Sequence, residues 1–199
     1  MGRPPRFPAE AILDSARDLT LRRGVGGLTM SAVAADLGAP SGSVYHRFAS
    51  REHLAAELWL RTVERFQVGF IATLTAHDEP VDAAVSAACW VVDWAAAHPA
   101  DASLLTRYRR EDLIRGDYPE QVRRRVEKAK AQFGHALAGI AQRLGQPVDL
   151  VIFAVVQIPY AAAREFAGSG RPLPAWTGDA VGRATRAALP PRRRPRMRG

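Results

Sequence analysis

Apolar residues recur every three or four positions through most of the chain, and no short run alternates convincingly, so the pattern predicts an all-α protein. Ile12, Ala16 and Leu19 mark a first helix from Pro8 to Arg23, closed by Gly24. Thr29, whose hydroxyl can accept from a free N–H of the first turn, heads a second helix with Val33, Ala34 and Leu37 on one face and Gly38 after it. Pro40 keeps the chain out of helix until Ser41 caps a third. There Val44 and Phe48 point inward, while Ser41, Gly42, Ser43, Tyr45, His46 and Arg47 are left outward.

Longer helices follow. Ser50 caps one running to about Ala76, with Leu54, Leu58, Phe66, Phe70 and Leu74 inward. His77 to Pro80 breaks the pattern; Val81 to His98 resumes it, with Trp90 and Trp94 four apart, and Pro99 stops it. A shorter helix around Asp101 to Glu111 precedes a loop holding Gly116 and Pro119. The next helix reaches Leu144 and buries Val122, Val126, Ala129, Phe133, Leu137 and Ile140, its run of Arg and Lys making a solvated face. Asp149 to Ala167 is apolar nearly all round in its first half and therefore needs cover on more than one side. Pro159 should kink this helix or release a carbonyl. Ala175 to Leu189 forms a last, small-residue helix.

Two short helices joined by a turn of three or four residues, the second presenting a flat polar surface, make the helix-turn-helix arrangement. Plain packing units share that spacing, so spacing alone leaves both readings open. Thr29, Val33, Ala34, Leu37, Gly38, Ser41, Gly42, Val44, Tyr45, Phe48 and the segment Ser50 to Leu54 closely resemble, in order, the N-terminal signature of TetR/AcrR-type transcriptional regulators. That family often has His directly before the final aromatic; here the position is Arg47, with His46 one place earlier. The resemblance covers the first quarter to third of the chain.

The expected architecture is an N-terminal three-helix DNA-binding domain over residues 1–52, a helical ligand-binding and dimerisation domain over 53–189, and a disordered basic tail over 190–199. The helix from about 50 to 76 would join the two domains as a connecting rod. Bases would be met by Ser41, Gly42, Ser43, His46 and Arg47, with Thr29 and Ser31 also at the DNA. Tyr45 and Arg51 are expected on phosphates, and Arg3 and Arg6 in a flexible arm beside the site. The resemblance also implies a two-fold dimer through the last two long helices and a pocket between helices of the second domain. Phe66, Phe70, Trp90, Trp94, Tyr108, Phe133, Phe153, Gln157 and Tyr160 are the candidate lining, and a largely apolar or aromatic effector would suit it. For each of them an ordinary core role competes with that assignment.

Composition changes this picture little. The 199 residues carry net charge +8, but residues 1–76 hold +2, residues 77–182 hold −1, and the last seventeen +7. The case for DNA therefore rests on the motif and not on the overall charge. The tail either adds salt-sensitive attraction to DNA or keeps the chain in solution. The single cysteine, Cys89, excludes an intramolecular disulfide and fits a small buried residue in a reducing cytoplasm. No signal-peptide pattern opens the chain, and the run from Leu150 to Ala163 is too short to span a bilayer, so a cytoplasmic protein is expected.

The five histidines are scattered, and neither HExxH nor CxxC spacing occurs, so no enzyme, metal site or cofactor is expected. The combined reading is a dimeric, ligand-responsive repressor on a pseudo-palindromic operator. The alternative is a constitutive DNA-binding or architectural protein whose second domain only dimerises.

Overall fold

The computed structural model describes residues 7–167 and 171–189, and among these every regular element is helical. Packing divides the described residues into two compact units, the first made of those up to 65 with 99–129, the second of 66–98 with those from 130 on, and the tail expected over 190–199 lies outside the described residues. The expected linear cut at 52/53 thus differs from the division that packing makes: residues 53–65 and 99–129 belong with the N-terminal helices.

In the first unit, α1 (Ala9–Arg23) starts one residue after the predicted Pro8 and ends at Gly24, whose φ of 73° is open to glycine without strain. α2 (Met30–Asp36) is capped as its sequence requires, Thr29 Oγ1 accepting from the N–H of Ala32 at 3.1 Å. Gly38, at φ 60°, turns the chain toward α3 (Ser41–Tyr45). Ser41 is the first residue of that helix and makes no side-chain cap, because the cap position itself falls on Pro40, which has no side-chain acceptor. Ile12, Leu19, Leu28, Val33, Val44 and Phe48 form one buried cluster with Leu54 and Leu58 of α4 (Arg51–Thr75), each burial stabilising by about 1.5–3 kcal/mol.

The same cluster takes in Leu104 of α6 (Pro99–Arg107) and Leu113 of α7 (Arg110–Leu113). The single helix predicted over 101–111 is therefore two. α6 is fixed to α1 by side chains that satisfy α1's last carbonyls, Arg107 Nη1 donating to Leu21 O at 3.3 Å and Tyr108 Oη to Thr20 O at 3.2 Å. At its other end Asp101, only 4% exposed, accepts from Arg17 at 2.9 Å and lies 3.5 Å from Arg65. The first turns of α8 (Glu120–Leu144) pack Val122, Val126 and Ala129 on Ala56 and Leu60, with Arg125 bridging Glu57 and Glu64.

In the second unit α5 (Pro80–Ala97) is capped by Glu79, whose carboxylate accepts from the N–H groups of Val81 and Asp82. α11 (Thr177–Ala188) comes close to α5 where α11 carries no side chain: a Cβ added at Gly182 would stand 3.2 Å from Cys89 Sγ. Burial, aided by Asp93 and Asp179, pushes the Cys89 thiol up, which suits a packing residue better than a reactive one.

The helix predicted over 149–167 is divided by its proline. α9 (Val148–Ile152) widens into a π turn over Phe153–Gln157 before α10 (Ile158–Phe166). Ile158 N–H reaches back to Phe153 O, and the next bond in the π series, from residue 159 to Ala154 O, cannot form because Pro159 has no N–H. Thr185 of α11 fills the vacancy, its hydroxyl donating to Ala154 O at 3.1 Å in a buried setting.

No single helix among the described residues is long and apolar enough to cross a membrane. The α8 helix and the α9–α10 segment pass such a test only together, and they meet at 108°.

Candidate nucleic-acid interface and aromatic cluster

α3 and the turn after it, where the sequence predicted one continuous helix, each have one apolar anchor, and both are buried: Val44 at 0% and Phe48 at 4% exposure. Around them Ser41, Gly42, Tyr45, His46 and Arg47 are exposed and Ser43 is half-buried, so the outward set expected from the sequence is outward. Tyr45 has 55% of its surface free. Thr29 and Ser31 are exposed at the head of α2, their hydroxyls 3.2 Å apart, although Thr29 also serves as the cap. Arg3 and Arg6 lie outside the described residues.

The loop from α3 to α4 is fastened by a reciprocal cap. His53 N–H donates to Ser50 Oγ at 3.0 Å, as the serine's position predicts, and Ala49 N–H donates back to His53 Nδ1 at 3.1 Å. The imidazole also meets Phe48 edge-on, with centroids 5.5 Å apart. The exit of α3 is thereby fixed by groups within eight residues of its end.

Arg51 requires a correction. Its guanidinium donates to Leu28 O, Val25 O and Leu113 O, the last at 2.6 Å, and pairs with Glu52. With only 22% of the side chain exposed, its donors are committed to three carbonyls and are not aimed at a phosphate. Arg51 ties the turn before α2 to the end of α7. Asp36 is similarly committed within the domain: the Ser15 hydroxyl at 2.7 Å and then the Arg22 guanidinium hold its carboxyl below the usual carboxylate range.

Five of the nine candidate pocket residues come together in the second unit. Phe66 lies 5.2 to 6.4 Å from the rings of Phe70, Trp90, Trp94 and Phe133, in tilted, edge-on and stacked arrangements. The Trp90 indole occupies the space over Gly69 of α4 that any side chain there would need. Phe70 is fully buried; Phe66, Trp90 and Phe133 keep partial exposure.

The other four do not follow the expectation. Tyr108 belongs to the first unit, where its hydroxyl holds α1. Phe153, Gln157 and Tyr160 share the exposed side of the π turn and α10, Phe153 being 48% and Tyr160 38% exposed. Their sequence spacing gave the face they share, but not that this face is the open one. Sequence reasoning also passed over a group of arginines, Arg110, Arg115 and Arg123, that the loop after α7 brings around one cleft. A glycine and a proline between the arginines were the available signal. No cluster of His, Cys, Asp or Glu able to hold a metal occurs among the described residues.

Residues 12–58 match the family model described as bacterial regulatory proteins, tetR family. No curated relative matches the chain. Solved structures share the fold at low identity. A TetR-like transcriptional regulator from Rhodococcus sp. RHA1 superposes with TM-score 0.67 at 20% identity, over 92% of this chain and 96% of that one. The TetR family regulator PfmR from Thermus thermophilus gives 0.68 at 17%, over 92% and 99%. The transcriptional regulator FadR from Bacillus subtilis, solved with stearoyl-CoA, gives 0.68 at 14%, over 92% and 100%.

Proposed function

Because this chain belongs, through residues 12–58, to the bacterial regulatory proteins of the tetR family, we propose that it is a ligand-responsive repressor that binds a pseudo-palindromic operator as a homodimer. The observation that carries the reading is the outward polar face of α3 over buried Val44 and Phe48. Ser41, Gly42, Ser43, His46 and Arg47 meet base edges in a major groove; Tyr45, Thr29 and Ser31 hold phosphates. Two such helices in a two-fold dimer read half-sites about 34 to 36 Å apart.

The dimer forms through the α9–α10 segment and α11. Val148, Phe153, Tyr160 and Trp176 leave large apolar surface open there, 62% in the case of Trp176, and a second copy would cover it. Phe153, Gln157 and Tyr160 are reassigned from the pocket to this interface.

Phe66, Phe70, Trp90, Trp94 and Phe133 receive the effector, which is largely apolar or aromatic. The stearoyl-CoA held by the B. subtilis neighbour is in keeping with an apolar ligand in this fold. An effector that binds more tightly to the conformer with wrongly spaced α3 helices releases the operator, and only by that difference in affinity.

Selecting random duplex DNA on the purified full chain, with sequencing of what is retained, tests the reading. A two-fold symmetric consensus supports it and supplies the probe for effector screening. Retention without a consensus refutes operator reading. A consensus whose affinity no apolar compound changes leaves the constitutive alternative.

A further inference from the structure

In the first unit a cleft of about 530 Å3 opens between the loop after α7 and the first turn of α8, a volume within the range of small-molecule sites. Arg110, Arg115 and Arg123 are among its lining residues, together with Glu111 and Asp117. Little of its surface is apolar, although Ile114 and Tyr118 are among the lining residues, so it is a poor match for the kind of ligand that an aromatic cluster accepts.

Several arginines of this unit are committed to holding its helices together, and those of the cleft are not. Arg17, Arg61, Arg65 and Arg125 each face at least two carboxylates, as residues that hold helices together do. Arg110 and Arg115 have no ion-pair partner among the described residues. Arg123 is held over the Tyr118 ring at 5.1 Å, and its pairs with Asp117 at 3.5 Å and Glu120 at 3.3 Å are long and exposed. Such pairs are screened and exchange readily for a better anion. A guanidinium matches two phosphate oxygens at once, and three around one space fit a multiply charged phosphate better than a carboxylate.

The wall of the cleft is also fixed in advance. Arg51 grips Leu113 O just before it, and the Glu52 side chain lies against Gly116, 3.2 Å from where a Cβ would stand. The cleft is therefore tied to the first turn of α4, which directly follows the proposed DNA-reading helix.

We propose that this cleft binds a small phosphate-bearing anion, with Arg110, Arg115 and Arg123 as its ligands, at a site separate from the aromatic cluster. The proposal does not depend on the DNA-reading assignment. Calorimetric titration of the full chain with sodium pyrophosphate, at a fixed ionic strength of about 0.15 M, tests it. The comparison is with Arg110→Gln/Arg115→Gln and with Arg124→Gln, which removes an exposed charge of α8 next to Arg123 but outside the cleft. Saturable binding is expected in the unaltered protein, weakened about tenfold or more in the double variant and little changed by Arg124→Gln. All of these side chains are exposed, and equal thermal midpoints verify that the variants are folded. Absence of saturable binding overturns the proposal, as does an equal loss in Arg124→Gln, which would mark a diffuse charge effect. Loss of random-duplex affinity in the double variant without any pyrophosphate binding also overturns it, the arginines then being a DNA-backbone contact.

Discussion

The Thr185 hydroxyl is asked to compensate for a missing backbone donor, and that can be measured. Pro159 cannot supply the N–H that would otherwise reach Ala154 O, and Thr185, fully buried, donates to that carbonyl at 3.1 Å. Thr185→Val keeps the shape and removes the donor, leaving a buried carbonyl unpaired at a cost of about 1–3 kcal/mol. For a chain of this size each kcal/mol lowers the midpoint by roughly 2–4 °C, so a fall of about 2–12 °C is expected. Pro159→Ala returns a backbone N–H, so Thr185→Val should cost less in that background. A double-mutant cycle in urea, at one protein concentration because the proposed dimerisation would couple to stability, should give a coupling energy of about 1 kcal/mol. Strict additivity of the two substitutions, or a Thr185→Val cost under about 0.5 kcal/mol, would refute the compensation.

Arg51→Ala should act on the fold. Losing a charged donor to three carbonyls costs about 1.5–3 kcal/mol by thermal unfolding; an unchanged midpoint with weaker DNA binding would return Arg51 to the interface. His46→Ala and Arg47→Ala should lower the ratio of operator to random-DNA affinity, by about 1–3 kcal/mol for a side chain that reads a base, in competition binding assays. If Arg47→Ala leaves that ratio unaltered, the assigned face is wrong. The depressed carboxyl of Asp36 adds stability that is fully present above its unfolded-state value and is lost as pH falls through its lower folded-state value. The stability gap between the parent and Asp36→Asn should thus be constant near neutrality and close only in acid, as read from denaturant midpoints across pH. Gly69→Val should displace the Trp90 ring and shift tryptophan fluorescence while leaving the first unit's core intact; an unmoved spectrum would mean that the ring is not seated there.

Much of this molecule is decided locally and was legible in the residues. Helical period, Thr29 and Ser50 as caps, Gly24 and Gly38 as stops, and the outward face of α3 each depend on neighbours within a few positions. Pro159 announced a freed carbonyl for the same reason: a missing N–H is a property of the residue itself. What Thr185 then does, 31 residues away, is not. Arg51 likewise looked like a phosphate ligand because a long cation beside a reading helix usually faces solvent. Its acceptors lie 23, 26 and 62 residues along the chain, and only folding brings those carbonyls to one place. Tyr108 left the candidate pocket because α6 packs with α1. Phe153, Gln157 and Tyr160 were given a common face by their spacing, yet whether that face is covered depends on which helices pack beside it. Periodicity fixes direction around a helix axis; burial is a property of the neighbours, and these the tertiary structure alone decided.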